Sequence, residues 1–206
     1  RNPGVFEGKT YTDLDKNKGL FAEGTLMRTG DLGRMDKDGY LWITGRAKDL
    51  IIRGGHNIDP SVIEEAISSH PTVAMVGAIG QPDVEKGELP CAYVQLNEGQ
   101  SIEGNELIAY CENKITEMAA VPRHIEIIEE MPLTAVGKIF KPELRKRAIT
   151  RIFNEALAKA GVTASVLKVE EHPKEGLKAY ISGSFNSEDV AKTLDPFTVG
   201  WELDSR

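Results

Sequence analysis

A lysine behind a glycine, an aspartate and an arginine in glycine-rich turns, and a pair of adjacent glycines are the residues whose types and surroundings point to chemistry. Lys138 closes the stretch Met131-Pro132-Leu133-Thr134-Ala135-Val136-Gly137-Lys138. Gly137 frees the backbone there, and Pro132 fixes one end of the loop. A lysine presented in this way can reach into a cleft, where its ammonium stabilises charge on a transferring phosphoryl or acyl-phosphate group. Asp31, in Arg28-Thr29-Gly30-Asp31, stands near a strand start, where a carboxylate can accept two hydrogen bonds from a ribose diol. Arg46, in Gly45-Arg46-Ala47-Lys48-Asp49, can hold ribose or phosphate oxygens. The Gly54-Gly55 pair lets another group approach the backbone closely. Taken one at a time, each is better explained by a plain role: a solvated surface lysine, a turn aspartate, a surface ion pair, a hairpin turn.

The elements that must position these residues are short. Glycines punctuate residues 1–45, which read as turns and strands. Asp36-Lys37-Asp38-Gly39 predicts a tight turn between Thr29–Met35 and Tyr40–Thr44, with Asp31 near the start of the first strand. A second hairpin is predicted from Leu50–Arg53 and His56–Ile58, turning at Gly54-Gly55. Asp59 then caps a helix with Pro60 at its first position. That helix runs to about His70, with Val62, Ile63, Ala66 and Ile67 as its apolar stripe, and Pro71 ends it. Val73–Ile79 and Ala92–Leu96 read as strands, separated by a polar loop over Gln81–Glu88. A longer helix is expected from about Glu103 to Met118, on the spacing of Leu107, Ile108, Cys111, Ile115 and Met118. His124–Ile128 alternates as a strand. The Pro132–Lys141 loop follows, then a helix from Pro142 to about Ala160 closed by Gly161. Residues 162–206 read as a separate add-on, with a hairpin of Val166–Glu170 and Leu177–Ile181 and a short helix over Ser187–Thr193. This order predicts an α+β fold, a small mixed sheet with flanking helices.

The bulk composition excludes several function classes. The chain has 206 residues, 40% hydrophobic and 28% charged, which is ordinary for a globular protein with a core. Its formal net charge of -7 argues against general affinity for nucleic acid, which needs a basic face. No apolar run approaches the roughly 20 residues of a membrane span. Cys91 and Cys111 both sit in apolar runs and read as buried reduced thiols, which fits a cytoplasmic location. No metal-ligand pattern stands out. Arg1-Asn2-Pro3-Gly4 supplies neither an initiating Met nor a signal-like core, so a piece of a longer chain is expected.

Order and spacing say more than any single residue. Thr29-Gly30-Asp31-Leu32-Gly33-Arg34 comes first, then Asp38-Gly39-Tyr40-Leu41 and Gly45-Arg46-Ala47-Lys48-Asp49-Leu50-Ile51. Gly54-Gly55-His56-Asn57-Ile58, Ile63-Glu64-Glu65 and Pro132-Leu133-Thr134-Ala135-Val136-Gly137-Lys138-Ile139 follow. Over roughly residues 3–150 this series resembles the last motifs of the adenylate-forming (AMP-binding) superfamily. That group includes acyl-CoA synthetases, peptide-synthetase adenylation domains and firefly luciferase, and Ile51–Ile58 is closest to the acyl-CoA ligase style.

The resemblance implies an ATP-dependent acid–CoA ligase, acting on a fatty or other carboxylic acid with MgATP and coenzyme A. An acyl-adenylate forms first, and a thiol then displaces AMP. Residues 1–47 would be the tail of the large N-terminal AMP-binding domain, here preceding as a short β-rich piece. Residues 48–150 would be the mobile C-terminal domain, and residues 151–206 a C-terminal helix with an extra hairpin and helix. Asp31 matches the aspartate that binds ribose hydroxyls, and Arg46 the arginine that also contacts the nucleotide. Lys48 matches the hinge, and Lys138 the lysine that bridges the acid's carboxylate and the ATP α-phosphate. Gly54 and Gly55 would border the pantetheine tunnel in the second step. His56 replaces the Glu that many relatives carry and reads as a surface or pantetheine-proximal histidine. The phosphate loop, adenine segment and acid pocket of the family are not in this sequence, so the chain alone is expected to be inert and to need its own N-terminal domain as partner. Two other readings are transfer of the acid to a carrier protein, and a non-catalytic interaction module with residues 162–206 as its docking element.

Overall fold

The computed structural model describes residues 17, 19–22, 26–173, 175–183 and 186–204, and the chain divides into two compact units, residues 1–49 and 50–206. In the first unit Phe21–Ala22 (β1) pairs with Leu26–Met27 (β2), and Asp31–Met35 (β3) pairs with Leu41–Arg46 (β4), both antiparallel. The expected turn closes β3–β4. Asp36 Oδ1 accepts from the Asp38 and Tyr40 N–H groups, and Gly39 adopts φ +85°. Trp42 Nε1 donates to Asp36 Oδ2 at 2.7 Å. That bond, followed by the backbone N–H donors, holds the Asp36 carboxyl below its ordinary range.

The second unit opens with Ile51–Arg53 (β5) and His56–Ile58 (β6). Gly54 and Gly55 take φ +56° and +88°, the left-handed backbone a two-residue hairpin requires. Pro60–Ser68 (α1) follows, capped where Asp59 Oδ1 accepts from Ser61 N–H at 2.9 Å. Val73–Asp83 (β7) and Gly87–Leu96 (β8) pair antiparallel, and His124–Ile127 (β9) joins β8 in parallel. The order is β6-β5-β8-β7. β5 meets β8 at Gly87, and β9 takes the same edge from Cys91 to Val94.

Alternation along β7 and β8 sends side chains to two faces. On one, Val76, Ala78, Ala92 and Val94 pack with Ile63 and Ile67 of α1 and with Leu107 and Cys111 of Gly104–Glu112 (α2). On the other, Ile79, Cys91 and Tyr93 pack with Leu144 and Ala148 of Lys141–Lys159 (α3). Both cysteines are buried free thiols, and burial pushes Cys91 up to about 12 and Cys111 up to about 11. Arg151 of α3 reaches down to the sheet and donates to the buried Gln81 Oε1 at 2.7 Å. Beside it, burial and the Arg151 charge lower the pKa of His124, against the opposing pull of Glu126.

Beyond α3 lie Ala164–His172 (β10), Gly176–Gly183 (β11), Ser187–Leu194 (α4) and Gly200–Leu203 (β12). β10–β11 is antiparallel and β11–β12 parallel. Their core joins Phe153 and Leu157 of α3 to Val169, Ala179, Ile181 and Leu194. α3 therefore belongs to two cores and runs unbroken through residue 150. None of the described helices is long and apolar enough to cross a membrane.

The α+β class agrees with the sequence reading, and three local expectations are corrected. The second helix stops at Glu112, not Met118. Asn113 follows, with its Nδ2 donating to Ala109 O at 3.0 Å. Ile115 is still buried, but Met118 is exposed in a 3-10 turn over Met118–Ala120, so the apolar spacing outran the helix. The polar Gln81–Glu88 loop shrinks to a turn at Val84–Lys86, because cross-strand pairing continues to Asp83↔Gly87. The strand β12 was not anticipated, since it pairs only after the chain crosses over through α4.

Candidate active-site residues

Residues 132–140 form a miniature hairpin. Leu133 and Ile139 bridge, Phe140 N–H donates to Pro132 O at 2.7 Å, and Thr134 N–H donates to Lys138 O at 2.7 Å. At the tip, Gly137 N–H donates to Thr134 O, and Gly137 takes φ +75°. That left-handed conformation explains the glycine before Lys138. Lys138 N–H donates to Thr134 Oγ1 at 3.1 Å, so the threonine holds the lysine's backbone from across the turn.

The base of this hairpin is fixed to the body. Met131 is buried, and its N–H donates to Gln95 Oε1 at 2.8 Å. Ile139 lies over Gly77 of β7, where a Cβ would come within 3.0 Å of its Cγ2. Lys141, the first residue of α3, places Nζ 2.9 Å from Glu64 Oε1 of α1. The Lys138 side chain is exposed and makes no ion pair among the described residues. A long, solvated cation therefore stands on an anchored backbone.

In the first unit, Asp31 and Arg46 are cross-strand partners in β3–β4. Arg46 Nε donates to Asp31 Oδ1 at 3.0 Å, with the side chains 64% and 35% exposed. Asp31 N–H donates to Thr29 Oγ1, and Ala47 N–H to Gly30 O. The pair sets a carboxylate acceptor beside a guanidinium donor on an accessible surface, which suits a diol next to an anion. Lys48 lies in the turn after β4, where Asp49 N–H donates to Arg46 O.

The Gly54-Gly55 turn is braced from one side, with Gly54 N–H donating to Lys86 O at 2.8 Å. Nothing lies within 4 Å of where a Gly55 Cβ would stand. His56 is exposed, its Nδ1 3.9 Å from Glu117 Oε1. Gly54, Gly55 and His56 thus lie together at one exposed hairpin end. Ile139 sits at Gly77, whereas Gly54 sits at Lys86, beyond the Asp83↔Gly87 end of the same strand pair. Six residues of strand at about 3.3 Å each put the two features on the order of 20 Å apart.

Residues 62–138 match the family model of the AMP-binding enzyme C-terminal domain, which ends on Lys138. The chain is 49% identical over 147 residues to the marinolic acid–CoA ligase of Pseudoalteromonas sp. (strain SANK 73390), covering 71% of this chain and 22% of that protein. Residues 62–138 are thus similar to the C-terminal domain of AMP-binding enzymes. The chain is also 40% identical to the mitochondrial medium-chain acyl-CoA ligase ACSF2 of Danio rerio, over 66% of this chain and 22% of that one. Among solved structures it resembles ATP-bound MatB from Rhodopseudomonas palustris, with TM-score 0.58 and 32% identity over 66% of this chain and 27% of that one. The chain thus spans 22% of the length of these two curated relatives.

Three residues that support the Lys138 hairpin went unassigned in the sequence: Gly77, Lys141 and Glu64. Glu64 stands in one of the quoted motifs, but its partner lies far along the chain. An acid on the polar side of α1 and a base just past Lys138 were the available signal.

Proposed function

We propose that this chain is the C-terminal part of an ATP-dependent acid–CoA ligase. The enzyme joins a carboxylic acid to ATP as an acyl-adenylate, releasing pyrophosphate, and then transfers the acyl group to coenzyme A with loss of AMP. Lys138 is the catalytic cation of the first step. A carboxylate must approach an α-phosphate that is itself anionic, and a positive group between them lowers the repulsion and stabilises the shared charge of the transition state. The observation that carries the reading is the contrast between two lysines: Lys141 is ion-paired with Glu64, while Lys138, on the same anchored segment, extends unpaired among the described residues.

Asp31 accepts the ribose hydroxyls, and Arg46 orients that carboxylate and adds a contact to the nucleotide. Lys48 is the hinge. The Gly54-Gly55 turn borders the pantetheine arm, where missing side chains leave room. The separation of this turn from Lys138, on the order of 20 Å, supports a two-pose cycle in which the two features face the substrate in turn. Mg2+ would come with ATP. Among the described residues no three His, Cys, Asp or Glu side chains could hold a metal ion, so no residue here is given that task.

Lys138→Ala in the complete ligase tests this reading. Acid-dependent ATP–pyrophosphate exchange is expected to fall about 100- to 1000-fold, the usual effect of removing one preorganised charge-stabilising donor. Thioester formation from supplied acyl-adenylate is expected to survive. Unchanged exchange would remove the role given to Lys138. The 206-residue chain by itself should give no exchange.

A further inference from the structure

We propose that Glu64 is a positioning residue for Lys138, acting through Lys141. The inference rests on the adenylation role proposed above for Lys138.

One oxygen of Glu64 does two things. Glu64 Oε1 accepts from Ala78 N–H at 2.9 Å and meets Lys141 Nζ at 2.9 Å. Among the described residues β7 pairs only with β8, so Ala78 offers this N–H on the open edge of the sheet. An unpaired edge N–H seeks a partner, and Glu64 supplies one from the face of α1. The side chains of Glu64 and Lys141 are 25% and 17% exposed, so the pair is partly shielded from water and less screened than a surface pair. The carboxylate therefore ties α1, the edge of β7 and the first residue of α3 to one point.

That point is the far end of the Lys138 hairpin. The near end is tied by Met131 N–H to Gln95 Oε1, and the middle rests on Gly77 through Ile139. The hairpin exposes Leu133, Val136 and Phe140, so little of its own side-chain surface secures it. Without the Glu64 anchor, the residues after Ile139 keep only the Phe140 N–H bond to Pro132 O and the helix they begin. A lysine that must meet two reacting anions loses rate steeply when its backbone wanders. The pair has a second effect. It neutralises the nearer competing cation, so the segment offers a single unpaired ammonium among the described residues.

The test uses Glu64→Gln, Lys141→Met and Lys141→Arg in the complete ligase, with Lys138→Ala alongside. Glu64→Gln keeps an acceptor for Ala78 N–H and deletes the charge; Lys141→Met keeps length and deletes the cation. Both are expected to lower ATP–pyrophosphate exchange about 10- to 100-fold while thioester formation from supplied acyl-adenylate stays within about twofold, since that step does not use Lys138. Lys141→Arg is expected to restore exchange. An equal fall in both half-reactions would mean that the pair merely holds the fold together, and would overturn the proposal, as would exchange that does not change. If Lys138→Ala itself leaves exchange intact, the proposed function of that residue fails and this inference fails with it. If only Lys138→Ala lowers exchange, this inference fails alone.

Discussion

Gly77→Ala tests the seat of the Lys138 hairpin through stability. Gly77 lies within β7, and a methyl there would stand 2.5 Å from Leu144 Cδ1, 3.0 Å from Ile139 Cγ2 and 3.9 Å from Met131 Sδ. The last is ordinary contact, but the first is about 1–1.5 Å too close, by the roughly 3.5–4.0 Å at which carbons meet. Leu144 is fully buried against Ile79, Cys91 and Tyr93, so it has nowhere to retreat without disturbing them. Overpacking of this kind costs about 1–3 kcal/mol. Against it, an alanine with ordinary φ narrows the unfolded chain and returns about 0.4–1 kcal/mol. A net loss of about 1–2 kcal/mol remains, which for a unit of this size lowers the thermal midpoint by roughly 3–6 °C. Differential scanning calorimetry of the chain and its variant reads this directly. Adding Leu144→Val should recover part of the loss, because removing the clashing methyl makes the two changes non-additive. A midpoint equal to or above the parent would show that Ile139 and Leu144 do not close over Gly77, and the anchoring argument for Lys138 would lose its middle support.

Two further outcomes follow from other parts of the fold. Gly55→Val should slow thioester formation far more than adenylation: its φ of +88° costs a β-branched residue about 1–3 kcal/mol of local strain, and the side chain would fill space now open. Separate assays of the two half-reactions check this, and an equal loss in both would refute it. His124 titrates below its ordinary range because burial and Arg151 disfavour the imidazolium. The unfolded chain then takes up a proton at a pH where the folded one does not, so stability is full above about pH 6.5 and erodes as pH falls through that value. Thermal melts from pH 8 to 5 should lose part of their acid-side slope in His124→Gln; identical slopes would refute it.

How far the sequence reaches depends on how local the physics is. The Gly54-Gly55 turn was legible because two left-handed residues in succession nearly require glycine. Asp59-Pro60 was legible because capping is settled within three residues. The second helix was overextended because Ile115 keeps its burial by turning back toward Cys111, with its N–H on Cys111 O, while Met118 merely fell on the same spacing. Gln81–Asp83 looked like loop because polarity was read as exposure, yet Gln81 is buried on Arg151, a partner that only α3 brings near. Lys138 drew notice through the order of the motifs around it, not through its own loop. The Glu64–Lys141 clamp was invisible for the opposite reason: each half is an ordinary charged residue on a helix, and only the sheet between them makes the two meet.

That clamp also bears on why a lysine, and why this one, would carry the charge. A lysine is a compact charge on a flexible stem, so a mobile side chain can follow two anions as they approach each other. The stem is useful only if its root stays still. Here the root is held by backbone hydrogen bonds across a five-residue tip, Thr134 to Lys138, and the flanks by Gln95 and Glu64. Lys141 has the same head group three residues on, but its ammonium is consumed in the ion pair that does the holding. One lysine is spent on position so that the other can be left free to act, and exchanging their surroundings, not their identities, is what would exchange their roles.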